Sequence, residues 1–219
     1  MSKHLEREIE RLKKMILALS AVVEENVRLA VTSIESRDSA LAQRVLDSDV
    51  TIDQFEVDVE EECLKILALH QPVAVDLRFI IAVLKINSDV ERIGDLAVNI
   101  AERTFALCER PAIPAPFDFD GMCQKTLEML RGSLDALMQM DTARARAVLV
   151  ADNEVDAINR EMYAKICAAL RRDPSPAEVL LSYLSAARQL ERIADSSTNI
   201  AEDVIYLIEG TIVRHGRGR

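Results

Sequence analysis

Four pairs of acids four residues apart stand at corresponding places along the chain: Asp49 with Asp53, Glu91 with Asp95, Asp152 with Asp156, and Glu191 with Asp195. On an α-helix, residues i and i+4 stand one above the other, so each pair shows two carboxylates to one face. Such a pair repels in water by roughly 0.2–0.5 kcal/mol. Carboxylates gathered in larger number take up protons, push their helices apart, or hold a multivalent cation. An all-oxygen donor set suits Mg, Ca, Mn or Fe, and bridging carboxylates can hold more than one ion. Zinc is less expected, because no His or Cys accompanies the pairs. One such pair is commonplace, solvated or answered by Lys and Arg.

The pairs belong to a repeat. The stretch ERIGDLAVNIAE from Glu91 returns as ERIADSSTNIAE from Glu191, with eight of twelve positions identical and most of those polar. Upstream, DSALAQRVLDSDVTID from Asp38 aligns with DTARARAVLVADNEVD from Asp141. The offset is 103 for the earlier stretch and 100 for the later one, so three residues are lost between them. Length changes belong in turns, which places a turn there. The chain therefore reads as two copies of one helical unit.

Six helices follow from apolar spacing. The first spans about residues 2–35, with Leu5, Ile9, Leu12, Ile16, Leu19 and Val23 three and four apart. Asp38 reads as the N-cap of a second helix ending near His70. Pro72 suits the first turn of a third, which runs to about Cys108. The stretch RPAIPAPFDFDG is a linker, followed by a fourth helix to about Met140. Asp141 caps a fifth that ends at RRDPSP, and the sixth runs to about Val213. The expected fold is all-α, a tandem repeat of two antiparallel three-helix bundles. The units are residues 1–109 and 117–213, with a linker at 110–116 and a basic, solvated tail at 214–219.

In an antiparallel hairpin, residues equidistant from the turn lie side by side. Asp49/Asp53 and Glu91/Asp95 are each about 20 residues, roughly 30 Å, from the turn near Gln71 and Pro72. The pairs Asp152/Asp156 and Glu191/Asp195 stand in the same relation to the turn near Asp173 and Pro174. Each hairpin is thus expected to gather four carboxylates. Glu25 and Glu128, related by the 103 offset, fall near the same level on the first helix of each unit. Asn99/Asn199 and Glu102/Glu202 continue the motif's face as candidate outer contacts. Arg92 and Arg192 point about 100° away from their Glu neighbours. Gly94 costs about 1 kcal/mol against Ala in a helix. Its counterpart Ala194 is also small, so close helix approach beside the acids is the expected reason.

A net charge of −10 argues against general nucleic-acid binding, which needs a basic face. Cys63, Cys108, Cys123 and Cys167 are scattered, with no CxxC, and read as reduced small hydrophobes. The charged N-terminus lacks a signal-peptide core, and the longest apolar run, FIIAVL, is far short of a membrane span. A cytoplasmic protein without membrane insertion is expected. A di-iron carboxylate enzyme needs Glu-x-x-His on two helices. None of His4, His70 and His215 stands at that spacing from a motif acid. No Gly-rich phosphate loop, Cys–His pair or Ser nucleophile motif is present. The chain is therefore expected not to be an enzyme. A carboxylate-bridged metalloenzyme and a metal-free helical scaffold are the alternatives.

The stretch QPVAVDLRFIIAVLKINSDVERIGDLAVNIAE, together with the tandem units, resembles the signature of the PhoU family, regulators of bacterial phosphate uptake. That resemblance implies multinuclear metal clusters held by E(D)-x-x-x-D motifs on two three-helix bundles. Its ligands here would be Asp49, Asp53, Glu91 and Asp95, with Asp152, Asp156, Glu191 and Asp195 in the second copy. The second copy departs from the family's frequent ERIGDHATNIAE at Ala194, Ser196 and Ser197 while keeping its carboxylates. The resemblance further implies a negative regulator joining the ATPase subunit of a phosphate ABC transporter to a phosphate-sensing histidine kinase. A homodimer is part of the same expectation.

Overall fold

The structure, a computed structural model, describes residues 3–210. Six long helices, with no strand among the described residues, run in the order α1 Lys3–Ser36, α2 Ser39–His70, α3 Ala74–Cys108, α4 Phe119–Gln139, α5 Thr142–Arg172 and α6 Ala177–Glu209. Helices α1, α2 and α3 pack together, as do α4, α5 and α6. The two bundles meet mainly through α3 and α6, with a smaller contact between α1 and α4. Lys85, early in α3, pairs with Asp203, late in α6, at 3.3 Å, so these central helices run antiparallel. The fold is the expected tandem of three-helix bundles.

The same end-of-helix chemistry is used twice. Arg37 and Met140 each take a positive φ of 53° after the first helix of their copy. The next residue sends its N–H back to close the preceding helix, Asp38 to the Ser33 carbonyl at 3.0 Å and Asp141 to the Ala136 carbonyl at 2.9 Å. Each Asp then accepts from two backbone N–H groups of the following helix. A cap of this kind is worth about 1 kcal/mol. Both expected N-caps are therefore present, and each fixes where its outer helix begins.

Two expected helix ends differ. Pro72 precedes the Val73 N-cap of α3 and so lies just outside the helix, and Val73 offers no side-chain cap. Helix α3 begins three residues earlier, in the repeat frame, than α6, which absorbs the length difference between copies as extra helix. Helix α6 stops at Glu209, where Gly210 takes φ 70°, a conformation glycine adopts without steric cost. The rest of the expected sixth helix, residues 211–213, and the basic tail with His215 lie outside the described residues.

Burial explains which helices can carry the acids. The central helices bury a broad face, and Ile80, Val83, Ile86, Val90, Ile93 and Ala97 of α3 are all closed to solvent. The outer helices bury a single seam at seven-residue spacing, Val45, Ile52, Val59 and Ile66 in α2 and Val148, Val155 and Met162 in α5. A seven-residue seam leaves its flanks half-exposed, where charged side chains keep some water. Cys63 and Cys123 are buried, Cys167 is partly covered and Cys108 is exposed, and all four are free thiols. Among the described residues, no helix is long and apolar enough to cross a membrane.

Candidate metal centre

At the middle of the first hairpin, Ile52 of α2 is fully buried against α3. Its side chain meets Gly94, where an added Cβ would stand 3.0 Å from Ile52 Cδ1 and 3.2 Å from Cγ2. The missing side chain at Gly94 thus lets α2 and α3 approach at the level of the acids, which is the structural role expected of it. In the second copy Val155 replaces Ile52 and the buried Ala194 replaces Gly94. One methyl has moved across the interface and the packing volume is kept.

Around this contact the flanks of the two helices bring the first four acids into one electrostatic cluster. Burial is the main reason that the Asp49 carboxyl is pushed up, with Asp53 and Asp95 adding to it. Glu91 is pushed up from 4.5 to about 7, by burial first and then by Asp95, Glu56, Asp53 and Asp49. One oxygen of Asp49, Oδ1, is buried without a hydrogen-bond partner. A carboxylate oxygen in that state carries an unrecovered desolvation cost of about 1–3 kcal/mol.

Glu56 joins this cluster, although it belongs to none of the sequence pairs. Its carboxyl is also pushed up, by burial, then Glu60, Asp53 and Asp95, while a hydrogen bond from Ser88 opposes the shift. Ser88 Oγ donates to Glu56 Oε1 at 3.4 Å, and Asn87 Nδ2 donates to the Glu56 carbonyl at 2.9 Å.

The second hairpin brings its four acids together in the same way. Asp152 is raised by burial, then by Asp156 and Asp195. Glu191 is raised by burial, Asp195, Asp156 and Asp152, with Arg188 pulling against them. Asp195 is raised by burial and Asp156, while Arg92 and Arg192 lower it. Arg160 Nη1 pairs with Asp156 Oδ2 at 3.3 Å. Arg92 of α3 thus acts across to α6, and Arg192 donates to Gln189 Oε1 at 3.1 Å within its own helix. Ser196 and Ser197 are buried and donate back to the carbonyls of Arg192 and Ile193. Their hydroxyls are engaged within α6 and are not spent on the acids.

Other residues singled out by spacing lie elsewhere. Glu25 lines a groove between α1 and α4 with Leu17, Arg28 and Arg131, and Glu128 lines another between α4 and α5 with Lys125 and Glu154. Neither is among the acids acting on the two clusters. Asn99 donates to the backbone carbonyl of Asp95 at 2.9 Å, a bond within its own helix. His4 is exposed near the start of α1 and His70 ends α2, both far along the bundle from the acids.

The donors suit a hard cation in kind: carboxylates from two adjoining helices, with an orphaned oxygen at Asp49. As oriented, no group of three or more His, Cys, Asp or Glu side chains among the described residues is in an arrangement that could hold a metal ion. Asp53 and Asp95 are exposed, and exposed side chains change rotamer on the picosecond to nanosecond scale.

Known proteins supply the family. The PhoU domain matches residues 16–104 and again residues 119–204, one match per bundle. A phosphate-specific transport system accessory protein PhoU homolog of Pseudomonas putida is 39% identical over 98% of this chain and 84% of its own length. The crystal structure of PhoU from Pseudomonas aeruginosa superposes with a TM-score of 0.87 at 37% identity, covering 94% of this chain and 99% of that one. That of the phosphate transport system regulatory protein PhoU from Streptococcus pneumoniae gives 0.83 at 28% identity, covering 95% and 99%. With two domain matches in register with its two bundles and relatives aligned nearly end to end, this chain is a member of the PhoU family.

Proposed function

We propose that the protein is a metal-binding regulator of phosphate uptake and phosphate signalling. It acts in the cytoplasm as a negative-regulatory adaptor between a phosphate ABC transporter, through its ATPase subunit, and a phosphate-sensing histidine kinase. Family membership supports the phosphate-transport setting, since the relatives are named accessory and regulatory proteins of phosphate transport. The observation that carries the metal reading is the clustering of Asp49, Asp53, Glu91 and Asp95 between two helices, with an Asp49 oxygen buried and unpartnered. Asp152, Asp156, Glu191 and Asp195 form the second such set. Divalent or trivalent ions such as Fe, Mn, Mg, Ca or Zn would be held through these carboxylates. A bound ion would neutralise the mutual repulsion of the acids and tie the outer helix of each bundle to its central helix. The function so described is regulation rather than catalysis.

Deleting the gene in its native host tests the regulatory half. Phosphate uptake and phosphate-starvation genes should become active in phosphate-rich medium, and the wild-type gene should restore repression. Normal uptake and normal repression in the deletion strain would refute the reading.

A further inference from the structure

We infer that the two carboxylate sites are unequal, that the first takes up cations more tightly, and that the residues one turn beyond each Asp pair set the difference. The inference rests on the metal reading above and concerns which of this chain's residues tune it. Asp53 is followed at i+3 by Glu56 and at i+4 by Val57, whereas Asp156 is followed by Asn159 and Arg160. Both spacings return to the face of the starting residue. The first site thereby gains a fifth carboxylate, while the second loses it and gains a cation.

Three contacts show that these differences reach the sites. Arg160 pairs with Asp156 at 3.3 Å, occupying one oxygen that a metal would need. Glu56 is fixed toward α3, with its carbonyl held by Asn87 and its carboxylate by Ser88. Asn87 is fully buried, and its own Oδ1 has no partner. In the second copy Ala187 stands in place of Asn87 and Arg188 in place of Ser88. Every one of these four changes either removes an oxygen donor or adds positive charge. A divalent ion drawn to the first hairpin would face five carboxylates. In the other it would face four, with Arg160 already engaged and Arg188 favourable to Glu191.

The test is a titration of the purified, chelator-stripped full chain with Mn²⁺ alone, followed by calorimetry and by the loss of the free-ion electron paramagnetic resonance signal. Two steps are expected, with the tighter one at least about tenfold stronger, as expected for a change of one or two unit charges near a divalent ion. Asp95→Asn should remove the tighter step and Asp195→Asn the weaker one. Arg160→Val with Asn159→Glu should strengthen the weaker step by about tenfold and leave the tighter one in place. Glu56→Asn with Val57→Arg should weaken the tighter step to match the second. All four swapped positions lie on helix flanks, and circular dichroism with thermal melts confirms that each variant is folded. Equal steps in the wild type, loss of the tighter step in Asp195→Asn, or swaps without effect would overturn this inference and leave the metal reading standing. No Mn²⁺ uptake at all would overturn both.

Discussion

Every charged group acting on Glu91 is another acid, whereas Glu191 and Asp195 are answered by Arg188, Arg92 and Arg192. The two hairpins share their Asp N-caps and the pairing of their acids across two helices, and they differ in how much negative charge is left uncompensated. Duplicated scaffolds separate these two properties. Packing is held by a few buried positions, such as Ile52 against Gly94, and Val155 against Ala194 answers it with one methyl exchanged. Charge is set by half-exposed flanks, where a substitution costs the fold little. Arg160 and Arg188 stand on such flanks of the second copy.

The packing half of this comparison should give the larger effect. Gly94→Ala places a Cβ against Ile52 and should cost about 1–3 kcal/mol of overpacking, offset in part by about 1 kcal/mol of helix propensity. Ile52→Val on its own should cost about 0.5–1.5 kcal/mol. Together the two changes rebuild the second copy's contact, so a double-mutant cycle in urea should show about 1 kcal/mol of favourable coupling. Additive costs would mean that the two interfaces are not interchangeable.

The charge half gives a pH dependence in the metal-free protein. Folded Glu91 keeps its proton up to about pH 7, against 4.5 for an ordinary Glu. The folded state therefore binds more protons in that window, and stability falls as pH rises. The contribution is fully present below pH 4.5 and is lost as pH rises through about 7. Urea midpoints in excess chelator should decline over this range, and Glu91→Gln should flatten the decline. Glu191→Gln should flatten it less, because Arg188 already opposes the rise at Glu191. Equal slopes for the two variants would contradict the electrostatic difference between the sites.

Much of the fold was legible in the sequence because it rests on periodic features. Apolar spacing defined the helices, Asp38 and Asp141 announced their caps, and the repeat paired the acids across each turn. The level argument needed only equal distances from a turn. What escaped was the identity of neighbours on a helix flank. Glu25 lines a groove against α4 and Glu128 one against α5, a fact of rotation that spacing along one helix does not reveal. Glu56 and Arg160 were visible only by comparing copies position by position, since each is ordinary by itself. Within the described residues α6 closes at Gly210, whose freedom to take a positive φ is the stop signal.

Metal content and chelation test the carboxylate sites most directly. The purified protein, first shown by elemental analysis to carry metal, is melted with and without excess chelator. A ligand held only by the fold contributes about 2.7 kcal/mol at a hundredfold excess over its dissociation constant. For a chain of this length that corresponds to a loss of about 5 °C or more. The variant carrying Asp53→Asn, Asp95→Asn, Asp156→Asn and Asp195→Asn should contain no metal and ignore the chelator. A metal-loaded wild type whose melting curve does not move, or a fourfold variant that keeps its metal, would contradict the carboxylate sites.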